Sequence, residues 1–347
     1  MERVSSNFNK TTNTFLEYIW LDAKENFRSK VRIERIKNLS EYKLPIWNYD
    51  GSSTGQGTTS NSEVLLYPSS VYWLPCNTRA YVICKTSCDD VYIGDYQKLF
   101  EKISKDVDPW FGMEQEFFMF PRDKTREEFL SMYRGQGKIQ EDFYCSIGTD
   151  LSYHRSIIEL VVNELLSLNI TVTGYNYEVA PGQAEIQVLG KGKSSAYDLL
   201  LLRYLLIKRF GEHGLAIDLS NKPLGKKYNG SGCHVNFSTS ITRGKGGLNH
   251  INKIIKQLSD NHYDHIKKFG KGNHMRLIGV HETSSFDKFT WGVASRNTSI
   301  RIPRETNKNQ CGYFEDRRPG ANMNPFVVLK CILSAALLCQ TVENGNT

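Results

Sequence analysis

Two carboxylates, Glu114 and Glu116, stand inside an otherwise apolar run, Trp110-Phe-Gly-Met-Glu-Gln-Glu-Phe-Phe-Met-Phe120. The aromatic content and length of the run predict a buried strand. Alternation along a strand places both glutamates on one face and Gln115 on the other. Two like charges this close in an apolar layer repel each other and lose hydration, so they need raised pKa values or cations. A wet sheet edge would relieve the same conflict without chemistry.

A second acidic pair flanks a turn in Tyr175-Asn-Tyr-Glu-Val-Ala-Pro-Gly-Gln-Ala-Glu-Ile-Gln-Val188. Pro181-Gly182 marks the turn, and Glu178 and Glu185 stand at equal distances from it. Paired arms would set these carboxylates face to face, which favours a cation between them. A Pro-Gly turn suits a two-residue hairpin poorly, however, and a solvated turn is the other reading. In Asn229-Gly-Ser-Gly-Cys-His-Val-Asn-Phe-Ser-Thr239 a glycine-rich turn enters a strand, with His234, Asn236 and Ser238 on one face. The glycines allow a ligand to approach the backbone, while the histidine suits either a metal or a structural hydrogen bond. In Tyr313-Phe-Glu-Asp-Arg-Arg-Pro-Gly-Ala-Asn322, Glu315, Asp316, Arg317 and Arg318 form a charge cluster of a kind that is usually solvated. None of these patterns decides a function singly.

The elements that must position these residues are mixed. Short strands are expected at Phe15–Leu21, Val31–Ile36, Val71–Leu74 and Arg79–Cys84, around a polar loop from Trp47 to Ser62 that is too long for a simple connection. Three- and four-residue apolar spacing predicts helices at Asp95–Asp106, Asp150–Ser167, Ser194–Gly211, Gly247–Lys267 and Asn324–Gln340. Without a regular strand–helix alternation, α+β is the expected class.

At 347 residues two domains are expected. The net charge of +7 is concentrated in stretches such as His262–Arg276. No nucleic-acid module accompanies it, so a small phosphate or carboxylate partner is favoured. No apolar run nears the ~18 to 20 residues that cross a membrane, and the stretch from Met1 to Asn7 lacks a secretory core. The eight cysteines have no C-x-x-C spacing, the nearest approach being Cys84 and Cys88. Reduced thiols and a cytoplasmic location are therefore expected, and Asn-x-Ser/Thr triplets at Asn38, Asn169 and Asn236 are read as chance. Gly192-Lys193-Ser194 ends like a phosphate-binding loop, but Gln187 stands where its leading glycine belongs. Any ATP must be held by cations and arginines.

Six stretches run in one family's order from about residue 15 onward: Trp47–Gln56, Trp110–Phe117, Glu178–Gln187, Asn229–Thr239, His281–Arg304 and Glu315–Pro325. Together they resemble glutamine synthetase of the eukaryotic type (type II). The resemblance implies a small β-grasp-like domain over 15–92 and a catalytic domain over 93–347, the latter a curved antiparallel sheet backed by helices. It implies ATP-dependent ligation of ammonia to L-glutamate, with Mg²⁺ or Mn²⁺. Glu116, Glu178 and Glu185 would hold one cation; Glu114, His234 and Glu315 would hold another. Hard divalent ions want such oxygen ligands, completed by nucleotide phosphates. Arg276, with Asn229 and Gly230, would take glutamate, a planar fork suiting a carboxylate. Arg296 and Arg301 would meet ATP phosphates and Arg317 the transferred phosphoryl. Trp110, Asn236, Ser238 and Tyr313 would lie on the adenosine side, with Trp110 as a stacking face. Asp50, reaching in from a neighbouring subunit, would bind ammonium, and Glu282 would sit on a flap over the acyl phosphate. Sharing of Asp50 implies a homo-oligomer, in this family a decamer of two five-membered rings.

The chain departs from the family pattern at Ala184, where an aromatic is usual, at Ser295 and Asn324, and at Lys227-Tyr228. No expected metal ligand or substrate arginine is missing. The rival readings are a γ-glutamyl ligase for a larger amine, a glutamate kinase-like side activity, and a non-catalytic homologue.

Overall fold

The computed structural model describes residues 12–39, 41–88, 91–134, 137–148 and 154–344. The stretch from Met1 to Asn7 and residues 150–153 of one expected helix lie outside these. The chain divides into two compact units, residues 1–94 with 167–169, and residues 95–166 with 170–347.

The first unit is a five-stranded sheet in the order β2-β1-β5-β4-β3, formed by β1 (Thr12–Leu21), β2 (Phe27–Ile36), β3 (Trp47–Asp50), β4 (Glu63–Trp73) and β5 (Arg79–Thr86). Leu16, Tyr18 and Trp20 alternate along β1 into a core with Tyr49, Val64, Leu66, Ala80 and Val82. The polar loop differs from expectation at its start. Its first residues form β3 and pair with β4, Asp50 opposite Glu63, so residues 51–62 close a hairpin. That loop is tied down by Gly51 N donating to Ser62 O (2.6 Å) and Gln56 Nε2 donating to Leu21 O (3.1 Å).

The second unit is built on an eight-stranded sheet ordered β11-β12-β13-β10-β6-β8-β7, with β9 also paired to β6. Its strands are β6 (Trp110–Pro121), β7 (Val172–Tyr177), β8 (Gln183–Lys191), β9 (Leu215–Asp218), β10 (Cys233–Ser238), β11 (Trp291–Val293), β12 (Ile300–Ile302) and β13 (Phe314–Asp316). All pairings except β11 with β12 are antiparallel. The α+β expectation therefore holds, and the glutamate run is a central strand rather than a wet edge.

Odd positions of β6 form the core face. Phe111, Met113 and Phe117 are fully buried there, and Phe117 meets Phe210 of the helix Ser195–Glu212 edge-on at 6.0 Å. Gln115, also fully buried, accepts from Arg203 Nε (2.7 Å) and donates to Ala321 O (3.1 Å). Even positions split: Phe118 and Phe120 are sealed beneath Phe129 and Tyr133 of the helix Arg126–Arg134, whereas Glu114 and Glu116 are not. The expected helix 247–267 is broken at Asn261 into Gly247–Asp260 and His262–Ile266. The other helices run Val91–Lys102, Arg155–Ser167 and Pro325–Asn344. Among the described residues no helix is long and apolar enough to cross a membrane, and none of the eight cysteines forms a disulfide.

Candidate active site

The register of four strands delivers the acids to one face. Glu116 of β6 stands opposite Glu185 of β8, Glu114 opposite His234 of β10, and Asn236 opposite Glu315 of β13. Glu178 arrives from the turn after β7, but not as the equal spacing suggested. Asn176 is the residue opposite Glu185, and Glu178 N donates to Gln183 O (2.9 Å). The cause is the turn: Gln183 N donates to Ala180 O (3.0 Å) across Pro181-Gly182, with Gly182 at φ +69°, a type II signature that fits poorly into a two-residue hairpin. The loop widens and the register slips, leaving the two carboxylates adjacent rather than opposed.

Glu114, Glu116, Glu178, Glu185, His234 and Glu315 all line one open hollow of about 180 Å³. Its remaining wall carries Arg296, Arg301 and Arg317. A second hollow is lined by Arg276, Asn229 and Gly230 and shares Glu116, Glu178 and Glu282 with the first. Burial, then the charge of Glu178, pushes the Glu116 carboxyl up to about 8. Glu185 is pushed well up by burial and by Glu114 and Glu116, and Glu178 is raised chiefly by burial. His234 is held well below its ordinary range by burial and by Arg317, so its imidazole is neutral. Carboxylates that resist ionising together and a neutral imidazole form a donor set suited to a hard divalent cation. Glu114, His234 and Glu315 each offer a ligand atom within 4.8 Å of the others.

The arginines are anchored by the protein's own groups. Arg317 donates to Glu315 Oε1 (2.5 Å), Glu282 O (3.1 Å) and Arg296 O (3.2 Å). Arg301 pairs with Glu315 Oε2 (3.1 Å) and Arg296 with Glu282 Oε1 (2.9 Å). Glu282 and His281 sit at φ +60° and +56°, an uncommon conformation for side chains of their size. Arg276 is buried and departs from a simple two-armed fork. Its Nε donates to Asn273 and its Nη2 to the carbonyls of Arg317, Arg318 and Pro319, which leaves Nη1 facing Gly232. A Cβ on Gly232 would lie 2.7 Å from His234 Nε2 and 3.0 Å from Arg276 Nη1, so glycine is required there.

The residues expected on the adenosine side lie on β6, on β10 and just before β13. Asn236 Nδ2 donates to Glu114 Oε1 (2.7 Å), Ser238 accepts from Arg243 (2.9 Å), and Tyr313 is partly exposed. The Trp110 ring already carries Lys191 Nζ at 4.0 Å and the Arg243 guanidinium at 4.3 Å, so a stacked base would compete with those cations. Asp50 belongs to the first unit, where it caps the turn Gly51–Thr54 and accepts from Ser52 and Ser53.

The charge cluster at 315–318 is buried rather than solvated. Three of the departures from the family pattern face away from the acids. Ala184 is fully buried opposite Phe117 on the core side, Asn324 caps the helix Pro325–Asn344 by accepting from Phe326 N (3.0 Å), and Tyr228 packs with the Phe118 cluster. Sequence reasoning missed Tyr144, Asn176, Gln183 and Gln187, which also line the hollows. Three of them carry a usable signal: each amide lies two residues from a glutamate, the spacing that shares a face in an extended chain.

Residues 97–267 match the family model described as glutamine synthetase, catalytic domain. A cytosolic glutamine synthetase isozyme of Daucus carota is 37% identical over 96% of this chain and 98% of its own length. The glutamine synthetase of Kluyveromyces lactis is 38% identical over 95% and 90%. A cryo-EM structure of Plasmodium falciparum glutamine synthetase superposes with a TM-score of 0.73 at 17% identity, covering 94% of this chain and 72% of that one, and so shares the fold. On these grounds the chain belongs to the glutamine synthetase family.

Proposed function

We propose that this cavity joins ammonia to the γ-carboxylate of L-glutamate with ATP, through γ-glutamyl phosphate, giving L-glutamine, ADP and phosphate. The observation that carries this reading is one hollow with six cation-type ligands facing three anchored arginines, in a chain matched along nearly its whole length by glutamine synthetases. Glu116, Glu178 and Glu185 would hold one divalent cation, and Glu114, His234 and Glu315 a second. Mg²⁺ or Mn²⁺ bound there supplies charge neutralisation for phosphoryl transfer.

The chain's own groups do the rest. Arg276 orients the α-carboxylate of glutamate through Nη1, with Asn229 and Gly230 beside it. Arg296 and Arg301 meet the ATP phosphates. Arg317, fixed by Glu315 and two carbonyls, steadies the phosphoryl group as it moves to a γ-carboxylate oxygen. Trp110, Asn236, Ser238 and Tyr313 take the nucleoside. Ammonia nitrogen then forms a bond to the acyl carbon, and the carbon–oxygen bond to phosphate breaks. Asp50 of a neighbouring subunit attracts ammonium and accepts its proton; hydrogen bonds from Ser52 and Ser53 hold its carboxyl below the usual range, hence ionised. Glu282, on the strained 281–282 segment, closes over the acyl phosphate and keeps water out.

This sharing requires an oligomer, taken here as a decamer of two five-membered rings in the cytoplasm. Mixed rings of Asp50→Ala and Arg317→Ala chains are expected to regain part of the activity each lacks alone; confirmed mixed rings with none would place Asp50 outside the shared site. The decisive assay is the amine profile with Mg²⁺, ATP and L-glutamate. Ammonia is expected to be the preferred amine, and product from ethanolamine or polyamines with none from ammonia would reject the reading.

A further inference from the structure

We propose that Gln183 is a positioning residue that couples the cation site to the amino-acid site, so that divalent cation and L-glutamate each tighten the other's binding. The proposal rests on the glutamine-forming reading and deepens it.

Four glutamates of the cavity each receive an amide N–H. Asn176 donates to Glu178 (2.8 Å), Gln187 to Glu185 (2.6 Å), Asn236 to Glu114 (2.7 Å) and Gln183 to Glu116 (3.1 Å). A neutral amide fixes a carboxylate without cancelling its charge, unlike the two arginines on Glu315. Gln183 differs from the other three in where its second N–H goes. Nε2 also donates to Gly230 O (3.0 Å), while Oε1 accepts from Ala180 N (3.2 Å). Buried at 2% exposure, the amide has one orientation, because turning it over would set its oxygen against two acceptors.

Gly232 N donates to the same oxygen, Glu116 Oε2 (2.8 Å), and among the described residues no hydrogen bond reaches Oε1. The 230–232 loop and Gln183 thus grip one oxygen of Glu116 and leave the other for a cation. Gly230 lies beside Arg276 in the hollow assigned to glutamate. A cation that fixes Glu116 fixes the Gly230 carbonyl through this amide, and glutamate that settles the loop orients Glu116 in turn. Such coupling is reciprocal.

The test uses the intact protein and counts unbound Mn²⁺ by electron paramagnetic resonance, with and without saturating L-glutamate. In the unaltered protein L-glutamate is expected to tighten Mn²⁺ about tenfold, the scale of one charge-assisted hydrogen bond. Gln183→Met removes all three bonds. Gln183→Glu keeps an oxygen for Ala180 N–H but offers at most one proton to two acceptors. Both are expected to bring the factor to about one, whereas Gln187→Met weakens Mn²⁺ about tenfold and keeps the factor. A folded Gln183 variant with the full factor overturns the proposal, as does loss of the factor in Gln187→Met or unfolding of both Gln183 variants. Unaltered protein that binds both ligands without coupling also overturns it but leaves the glutamine-forming reading standing. Failure to bind either ligand strikes that reading itself.

Discussion

Two ion pairs occupy four consecutive residues at the end of β13, and they have opposite fates. Asp316 and Arg318 are wholly sealed, at 0% side-chain exposure each. Asp316 Oδ1 accepts from Arg318 N (3.1 Å) and Nε (2.9 Å), Oδ2 accepts from Nη2 (2.6 Å), and the guanidinium lies 5.0 and 5.2 Å from the Phe269 and Phe289 rings. Glu315 and Arg317 point to the other face, into the hollow. There Glu315 is shared by Arg301 and Arg317, with His234 Nδ1 at 3.5 Å, beside further carboxylates. One strand therefore carries the same chemistry twice. The pair whose charges satisfy each other within a dry pocket holds the backbone, while the pair that opens onto surplus charge is available for a reaction.

Breaking the sealed pair should have the largest effect on the fold. Asp316→Ala leaves Arg318 buried and uncompensated, and a loss of roughly 3–5 kcal/mol is expected in urea unfolding. Stripping divalent cation comes next. The folded chain holds Glu116 protonated up to about 8, whereas the unfolded chain titrates near its ordinary 4.5. Within that window the folded state binds more protons, so stability without cation falls as pH rises. A cation replaces the proton, so its stabilisation, about 2.7 kcal/mol at a hundredfold excess over Kd, should grow from pH 5 to pH 8 in thermal unfolding. Glu315→Gln should cost only about 1 kcal/mol, yet reduce glutamine formation at least about 100-fold. Glu282→Gln, at an exposed pair with Arg296, should change stability by less than about 0.5 kcal/mol. Its signature is different: ADP release in excess of glutamine, as the unprotected acyl phosphate hydrolyses. Equal stability losses from Asp316→Ala and Glu315→Gln would erase the contrast.

The same contrast explains what was readable in the sequence. Strong periodic signals carried through: the aromatic run at 110–120 became the central strand, and its alternation separated Glu114 and Glu116 from Gln115. Alternation at 315–318 was equally present, but charge composition pointed to solvent, because a sealed pair is visible only when Phe269 and Phe289 arrive from elsewhere in the chain. The Glu178–Glu185 register was lost to turn twist, which spacing alone does not encode. Asn176, Gln183 and Gln187 went unnoticed because neutral amides gain meaning only once the acids beside them are known to converge.

The most direct measurement places heavy oxygen in the γ-carboxylate of L-glutamate and follows it through one turnover with ATP, Mg²⁺ and ammonium. Transfer of one labelled oxygen to each phosphate released, in step with glutamine, is the expected result. Phosphate without label, or glutamine formed without ATP, would contradict phosphoryl transfer to glutamate in this cavity.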